Sequence, residues 1–243
     1  RIAFQALRGA LSDSIELQPV SGTVRADGQS LVFEDIKGKV GGGEVTATVD
    51  VRPGADGIAL NARVALDNVD GGALRYRALV VPKGRASMQM TLTSQGRSAA
   101  ALIGALSGSG TVTLEAAKIA GLDPHAFEVA VRASDSGQAR DDIRLKAIVE
   151  PVLAAGSLSV GSVQLPFTIR DGRMRVAATA VDAQGVRAVL SGGYDIPADQ
   201  ADIRAALTLT LPTTTSGRPE IQLFAAGTPD AMTPSVDVAA LSS

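Results

Sequence analysis

The chain has 243 residues, of which 45% are hydrophobic and 20% charged, and its net charge is -2. That is long and apolar enough to bury a substantial core, which excludes wholesale disorder. A pI near 5.5 and the absence of any Lys/Arg cluster give no electrostatic case for nucleic acid or for an anionic membrane surface. Aromatic residues are only 3% with no Trp, against the aromatic girdles of a transmembrane barrel. There is no Cys, which removes disulfides, thiolate nucleophiles and most zinc sites. The longest apolar run, Ala99 to Leu106, falls far short of the roughly 20 residues that span a bilayer. The chain opens on Arg1 with no charged region leading into an apolar stretch, so it reads as a mature protein or a segment of a longer one.

Alternation with a period of two dominates, the mark of half-buried strands. Val20, Gly22, Val24 and Ala26 alternate with polar neighbours, and Asp27-Gly28 supplies a hairpin turn. Leu31 and Phe33 share one parity while Ile36, Gly38 and Val40 take the other. The switch at Glu34-Asp35 predicts a β-bulge or a strand crossing between faces. Val45, Ala47, Val49 and Val51 run out, Pro53-Gly54-Ala55-Asp56-Gly57 turns, and Ile58, Leu60, Ala62, Val64 and Leu66 run back. The pattern continues through Ala86, Met88, Met90 and Leu92.

Ser98 caps a short helix through Leu106, and Val112 and Leu114 mark the next strand. Asp123 followed by Pro124 starts a second helix through about Ala133. Asp141 or Asp142 caps a third, with Leu145, Ile148, Val149 and Val152 facing inward and Pro151 kinking it or ending it early. Strands resume with Val163, Leu165, Phe167 and Ile169, then Met174, Val176, Ala178 and Ala180, then Val186, Ala188 and Leu190. Ile203, Ala205, Leu207, Leu209 and Leu211 precede a Thr/Ser/Gly/Pro loop, and Ile221, Leu223 and Ala225 follow it. Together these predict a mainly β protein, an antiparallel meander of about a dozen strands forming a curved sheet or groove or an open sandwich. Two or three short helices would cover a sheet edge or close one end of the groove. No low-complexity linker interrupts the interior, so one domain over 1–243 is expected.

Candidate chemistry is sparse. His125, the single histidine, stands beside Asp123 and Glu128, but the first turn of a helix is an ordinary place for a solvated residue. A metal site needs three or four converging ligands, so none is expected there. Gly41-Gly42-Gly43 leads into a strand at Glu44 rather than into the Lys-Ser/Thr and helix of a phosphate loop, and so reads as a turn. Ser107-Gly108-Ser109-Gly110 lacks the first glycine of a nucleophile elbow. Asp67-Asn68-Val69-Asp70-Gly71-Gly72 lacks the ligand spacing of an EF-hand and reads as a polar turn. No catalytic residue, cofactor or metal is expected. What remains is the aliphatic alternation itself, which would serve the core of a sandwich or an open groove equally.

A series of short segments carries a resemblance. They run Lys39-Val40-Gly41-Gly42-Gly43-Glu44-Val45, then Ser94-Gln95-Gly96-Arg97-Ser98, Ala100 and Leu102, then Leu106-Ser107-Gly108-Ser109-Gly110-Thr111. Ile119-Ala120-Gly121-Leu122-Asp123 and Arg170-Asp171-Gly172-Arg173-Met174-Arg175 follow, and Gly227-Thr228-Pro229, Pro234, Val236-Asp237-Val238 and Leu241 close the series. In this order, over most of the chain, they resemble the C-terminal region of an AsmA family protein. The resemblance implies a periplasmic protein of a Gram-negative bacterium, tethered to the inner membrane by an anchor outside this segment and concerned with outer-membrane biogenesis. It further implies a β-sheet trough for phospholipid or another envelope lipid, with envelope proteins as further partners and no catalytic residues. On that reading the lipid-facing side chains are Val45, Ala47, Val49, Val51, Ile58, Leu60, Val64, Leu66, Met88, Met90 and Leu92. The other expectation is a structural scaffold with a closed sandwich core, whose sheet edges receive a partner strand.

Overall fold

The structure, a computed structural model, describes residues 1–12, 15–55, 57–138, 141–210 and 219–241. The chain begins with β1 (Ile2–Ala6), β2 (Gly9–Ser12), β3 (Ile15–Leu17), β4 (Val20–Asp27) and β5 (Ser30–Val40). Next come β6 (Gly43–Gly54), β7 (Gly57–Asp70), the short β8 (Arg75–Tyr76) and β9 (Leu79–Val80), and β10 (Lys83–Gly96). Helix α1 (Ala99–Gly104) leads to β11 (Ser107–Ala120), then α2 (His125–Asp135) and α3 (Asp142–Ala155). Six strands complete the chain: β12 (Ser157–Arg170), β13 (Arg173–Ala183), β14 (Val186–Asp195), β15 (Gln200–Leu209), β16 (Glu220–Thr228) and β17 (Ala231–Asp237).

Thirteen strands form one open antiparallel sheet in the order β1-β4-β5-β6-β7-β10-β11-β12-β13-β14-β15-β16-β17. Chain order is sheet order, a meander, and the β2–β3 and β8–β9 hairpins stand apart from it. These thirteen strands belong to a single open sheet, so the closed two-sheet sandwich does not describe the chain. Because neighbours are antiparallel, one end of the strands carries the Gly41-Gly42 turn, the β11–α2 junction and the Gln184-Gly185 turn. We call this the cap end. The opposite end, with Ala55 and Asp171-Gly172, is the mouth end.

Several strands keep their apolar residues on one face only because the backbone slips. The predicted bulge at Glu34-Asp35 is present: the register shifts between Phe33 and Ile36, and Asp35 has a left-handed φ of 51°. Asn68 (φ 52°) does the same in β7, returning Val69 to the face of Leu66. In β13 the expected run of Met174, Val176, Ala178 and Ala180 is broken by a shift between Val176 and Thr179. Ala178 and Ala180 are therefore exposed, and Val181 takes the inward position.

One hydrophobic cluster gathers side chains from all eight strands β10 to β17, including Ala86, Leu114, Leu158, Val181, Val186, Leu207, Ile221 and Val236. The helices supply its centre through Phe127, Ala130, Leu145, Val149 and Leu153. Eight strands laid flat would span about 34 Å at ~4.8 Å each, far wider than two helices. The sheet therefore curls around α2 and α3, and its aliphatic face is the inside of the curl.

The capping residues act as expected. Ser98 Oγ accepts from the Ala101 N–H at 3.2 Å, and Asp141 Oδ1 accepts from the Arg144 N–H at 2.8 Å. Asp123 Oδ1 accepts from the His125 N–H at 3.0 Å, with Pro124 already helical. Pro151 does not end α3, which runs on to Ala155. Pro151 is exposed while Val149 and Leu153 on either side of it are fully buried, so packing holds the helix across the lost hydrogen bond.

Strands β1 to β3, the β8–β9 hairpin and β17 have no counterpart in the expected pattern. Asp56 and the 211–218 loop, including Leu211, lie outside the described residues. Urea unfolding tests this layering. Leu207→Ala, inside the cluster, is expected to cost about 2–5 kcal/mol, and Leu60→Ala, on the uncovered part of the face, clearly less. Equal losses would mean that a packed layer lies over Leu60.

Candidate functional site

The cross-strand register places all eleven predicted lipid-facing residues on the inner face. Val45, Leu66 and Met88 stand opposite one another on β6, β7 and β10, and Ala47, Val64 and Met90 form the next row. Val49, Ala62 and Leu92 follow, then Val51 and Leu60 beside Ser94, and Ile58 lies outermost, opposite Pro53 and Gly96. β5 continues the rows with Ile36 and Phe33, opposite Ala47 and Val49.

Burial grades along the rows. At the cap end Val45 is 2% exposed and Val69 0%, whereas at the mouth end Ile58 is 46% and Leu31 37% exposed. The rows between are half-buried, apart from buried Ala62 and Ser94. Local features close the cap end. Gly41 and Gly42 take left-handed φ values of 52° and 74°, which makes the β6 hairpin turn as tight as expected. Gly43 lies so close to β7 that a Cβ there would come within 2.3 Å of the Asp67 carbonyl. Leu17, from the β2–β3 hairpin, packs against Val20 and Val45 as a separate small cluster. At the mouth end, helix α1 folds back onto β10, where Ser94 is 9% exposed and its Oγ donates to the Leu102 carbonyl at 2.5 Å. The face is thus closed at the cap end, while at the mouth end α1 covers β10 and the ends of β5 and β7 stay exposed.

The segment between β7 and β10 also crosses this face. Leu74 and Val81, at the base of the β8–β9 hairpin, pack against the main cluster. At its tip Tyr76 meets Tyr194 of β14 edge-on, with ring centroids 6.0 Å apart and hydroxyls 3.2 Å apart. Tyr194 Oη donates to Asp199 Oδ1 at 2.8 Å, and Arg77 forks between Asp199 and Asp230. Burial, then the bonds to Tyr76 and Asp199, push the Tyr194 phenol above its ordinary value. The Tyr194 hydroxyl and Arg77 hold the Asp199 carboxyl below its own. Sequence reasoning missed these five residues, because nothing local links positions 118 apart.

The opposite face is polar. A shallow depression of about 890 Å³ lies there, lined by Thr46, Thr48, Arg63, Thr91, Thr111 and Gln164 among others. A second, of about 520 Å³, includes Phe224 with Arg204 stacked 5.3 Å from its ring centre. Both follow from twist, since a twisted sheet is a saddle and each face is hollow along one diagonal. On the C-terminal strands this face carries ion pairs such as Arg173–Asp195 (2.7 Å) and Arg175–Asp202 (2.9 Å), exposed and individually weak.

The remaining sequence motifs resolve locally. Gly108 and Gly110 sit at the start of β11, and Gly110 leaves the space that the Phe167 ring fills; a Cβ there would meet it at 2.5 Å. Asp70 Oδ1 accepts from the Gly72 N–H at 3.0 Å, capping a single 3₁₀ turn. Among the described residues no three His, Asp or Glu side chains converge as metal ligands would, and no helix is long and apolar enough to cross a membrane. Compared with known protein families, curated proteins and solved structures, the chain matches none.

His125 is 73% exposed and pairs with Asp123 through Nδ1 at 2.9 Å. The Asp123 carboxylate, and less strongly Glu128, raise the imidazole above 6.5. A raised value means the pair stabilises the fold fully below that ordinary pH and loses its contribution as pH rises through the shifted midpoint. An NMR titration is expected to place the His125 midpoint above 6.5, and Asp123→Asn to return it toward 6.5. An unshifted wild-type midpoint would remove the pair.

Proposed function

We propose that the chain is a non-catalytic, lipid-binding module whose inner face guides acyl chains, in a periplasmic protein of the AsmA type. In this reading the whole protein is tethered to the inner membrane by an anchor outside this segment, and it serves outer-membrane biogenesis and phospholipid transport. The observation that carries it is the set of aliphatic rows from Val45 to Ile58, half exposed between a closed cap end and the exposed mouth ends of β5 and β7.

The energetics favour this use of the surface. At roughly 0.8 kcal/mol per methylene, leaving an acyl chain of about 15 carbons in water costs about 12 kcal/mol. Shielding it takes a long aliphatic strip and no charged group. The rows of β5 to β10 supply such a strip, and their small Ala and Val side chains leave depth for a chain to lie in. The polar residues of the same strands point to the other face, where they keep the sheet solvated.

Site-specific photo-crosslinking in cells tests the proposal. Probes at Val49, Leu60 and Met90 are expected to label phospholipid well above probes at Thr48 and Arg63, which lie on the polar face. Labelling of equal strength from both faces would sink it.

A further inference from the structure

We propose that the β8–β9 hairpin is a releasable latch that controls how far acyl chains extend along the inner face, from the open rows of β5–β10 toward the C-terminal strands. This rests on the acyl-chain reading above and adds its regulation.

The hairpin is not needed for connectivity. β7 and β10 are sheet neighbours with Asp70 opposite Arg85, so a tight turn would join them. Instead residues 71–82 leave the sheet on its apolar side and reach across to the C-terminal strands. The two ends of this excursion are held by different physics. Its base is anchored in the main cluster by Leu74 and Val81, and the Val81 N–H donates to the Leu74 carbonyl at 3.2 Å.

At its tip Arg75, Tyr76, Arg77 and Ala78 are all exposed and Leu79 is half-buried, outside the main cluster. The tip is held by a polar knot that joins three separate segments. Arg77 comes from the hairpin, Tyr194 and Asp199 from the end of β14 and the turn after it, and Asp230 from the β16–β17 turn. Asp199 is the centre, accepting from both Tyr194 and Arg77. The side chains of Arg77, Asp199 and Asp230 are 41%, 38% and 48% exposed, and exposed ion pairs are individually weak. The tip therefore releases while the base stays in place. A strap firmly rooted at one side and lightly tied at the other is built to swing. With the knot tied it lies across the face; with the knot released, the face opens toward the C-terminal strands.

The composition supplies a clean test, because Tyr76 and Tyr194 are the chain's two tyrosines and there is neither Trp nor Cys. Photo-oxidation with a ruthenium complex and persulfate as electron acceptor removes one hydrogen atom from each phenol, and a carbon–carbon bond joins the rings. The native sequence is thereby locked in its latched state, and peptide mass spectrometry identifies the Tyr76–Tyr194 link. Uptake of pyrene-labelled phosphatidylglycerol from phosphatidylethanolamine/phosphatidylglycerol vesicles is then compared for the locked, unlocked and Arg77→Gln proteins. The locked form is expected to load at least about tenfold more slowly than the unlocked one, and Arg77→Gln about five- to tenfold faster. Hydrogen exchange should rise at residues 75–80 in Arg77→Gln while α3 keeps its protection.

Equal loading rates in all three forms overturn the latch and leave the acyl-chain reading standing. Loading by none of them overturns that reading and this regulation with it. Failure to form the intramolecular dityrosine overturns the contact on which the latch depends. If Arg77→Gln does not fold, the locked native sequence against its unlocked form decides.

Discussion

A pair of helices inserted between two strands sets the geometry of everything around it. The α2–α3 hairpin presents Phe127, Leu145, Val149 and Leu153, and these are covered by side chains from eight strands at once. That can happen only if the sheet bends around the helices, which decides which face is inner. Once the inner face is set, parity matters along every strand, because a slip of one residue would turn an entire apolar row outward.

Parity is kept at a cost in backbone strain. Asp35, Asn68 and Ala116 adopt left-handed φ values of 51°, 52° and 48°, which L-residues take reluctantly. The slip at Ala116 is what lets both Leu114 and Ala117 face inward, at 3% and 1% exposed. Each bulge spends something like 1 kcal/mol to keep larger apolar residues out of water, and burying one such side chain is worth about 1.5–3 kcal/mol. The trade favours the bulge. At β12–β13 the solution differs: the two strands pair over just four residues, Phe167–Arg170 against Val176–Arg173, and then part. Above that seam Gln184 bridges them, its Oε1 accepting from the Ser159 N–H at 2.9 Å.

Much of this was legible in one dimension. Strict alternation located the interior strands from β4 to β7, and Ser98, Asp123 and Asp141 marked the helix starts, because both signals depend on near neighbours. The bulge in β5 could be read because two well-formed parities met at Glu34-Asp35. The one in β13 could not, because Ala178 and Ala180 are small enough to pass for inward residues. β17 carries Pro234 and lies at an edge of the sheet, where proline is tolerated and the apolar signal fades. For the candidate site, the rows on β6, β7 and β10 followed directly from parity. Their grading from the cap end to the mouth end did not, since it depends on Leu17 at the one and on α1 at the other, both packing from outside the rows. The knot at Asp199 was out of reach altogether, joining segments with no shared pattern.

The meander has a consequence for how the molecule grows and assembles. Because strands adjacent in the sheet are adjacent in the chain, most pairings close short loops and carry little entropic cost before they form. Such a sheet can form hairpin by hairpin in either direction, with the contacts to Asp199 and Asp230 among the last to close. It also behaves much like a one-dimensional array, in which each strand answers mainly to its two neighbours. Adding a pair of strands at either edge would widen the sheet without disturbing a residue already placed.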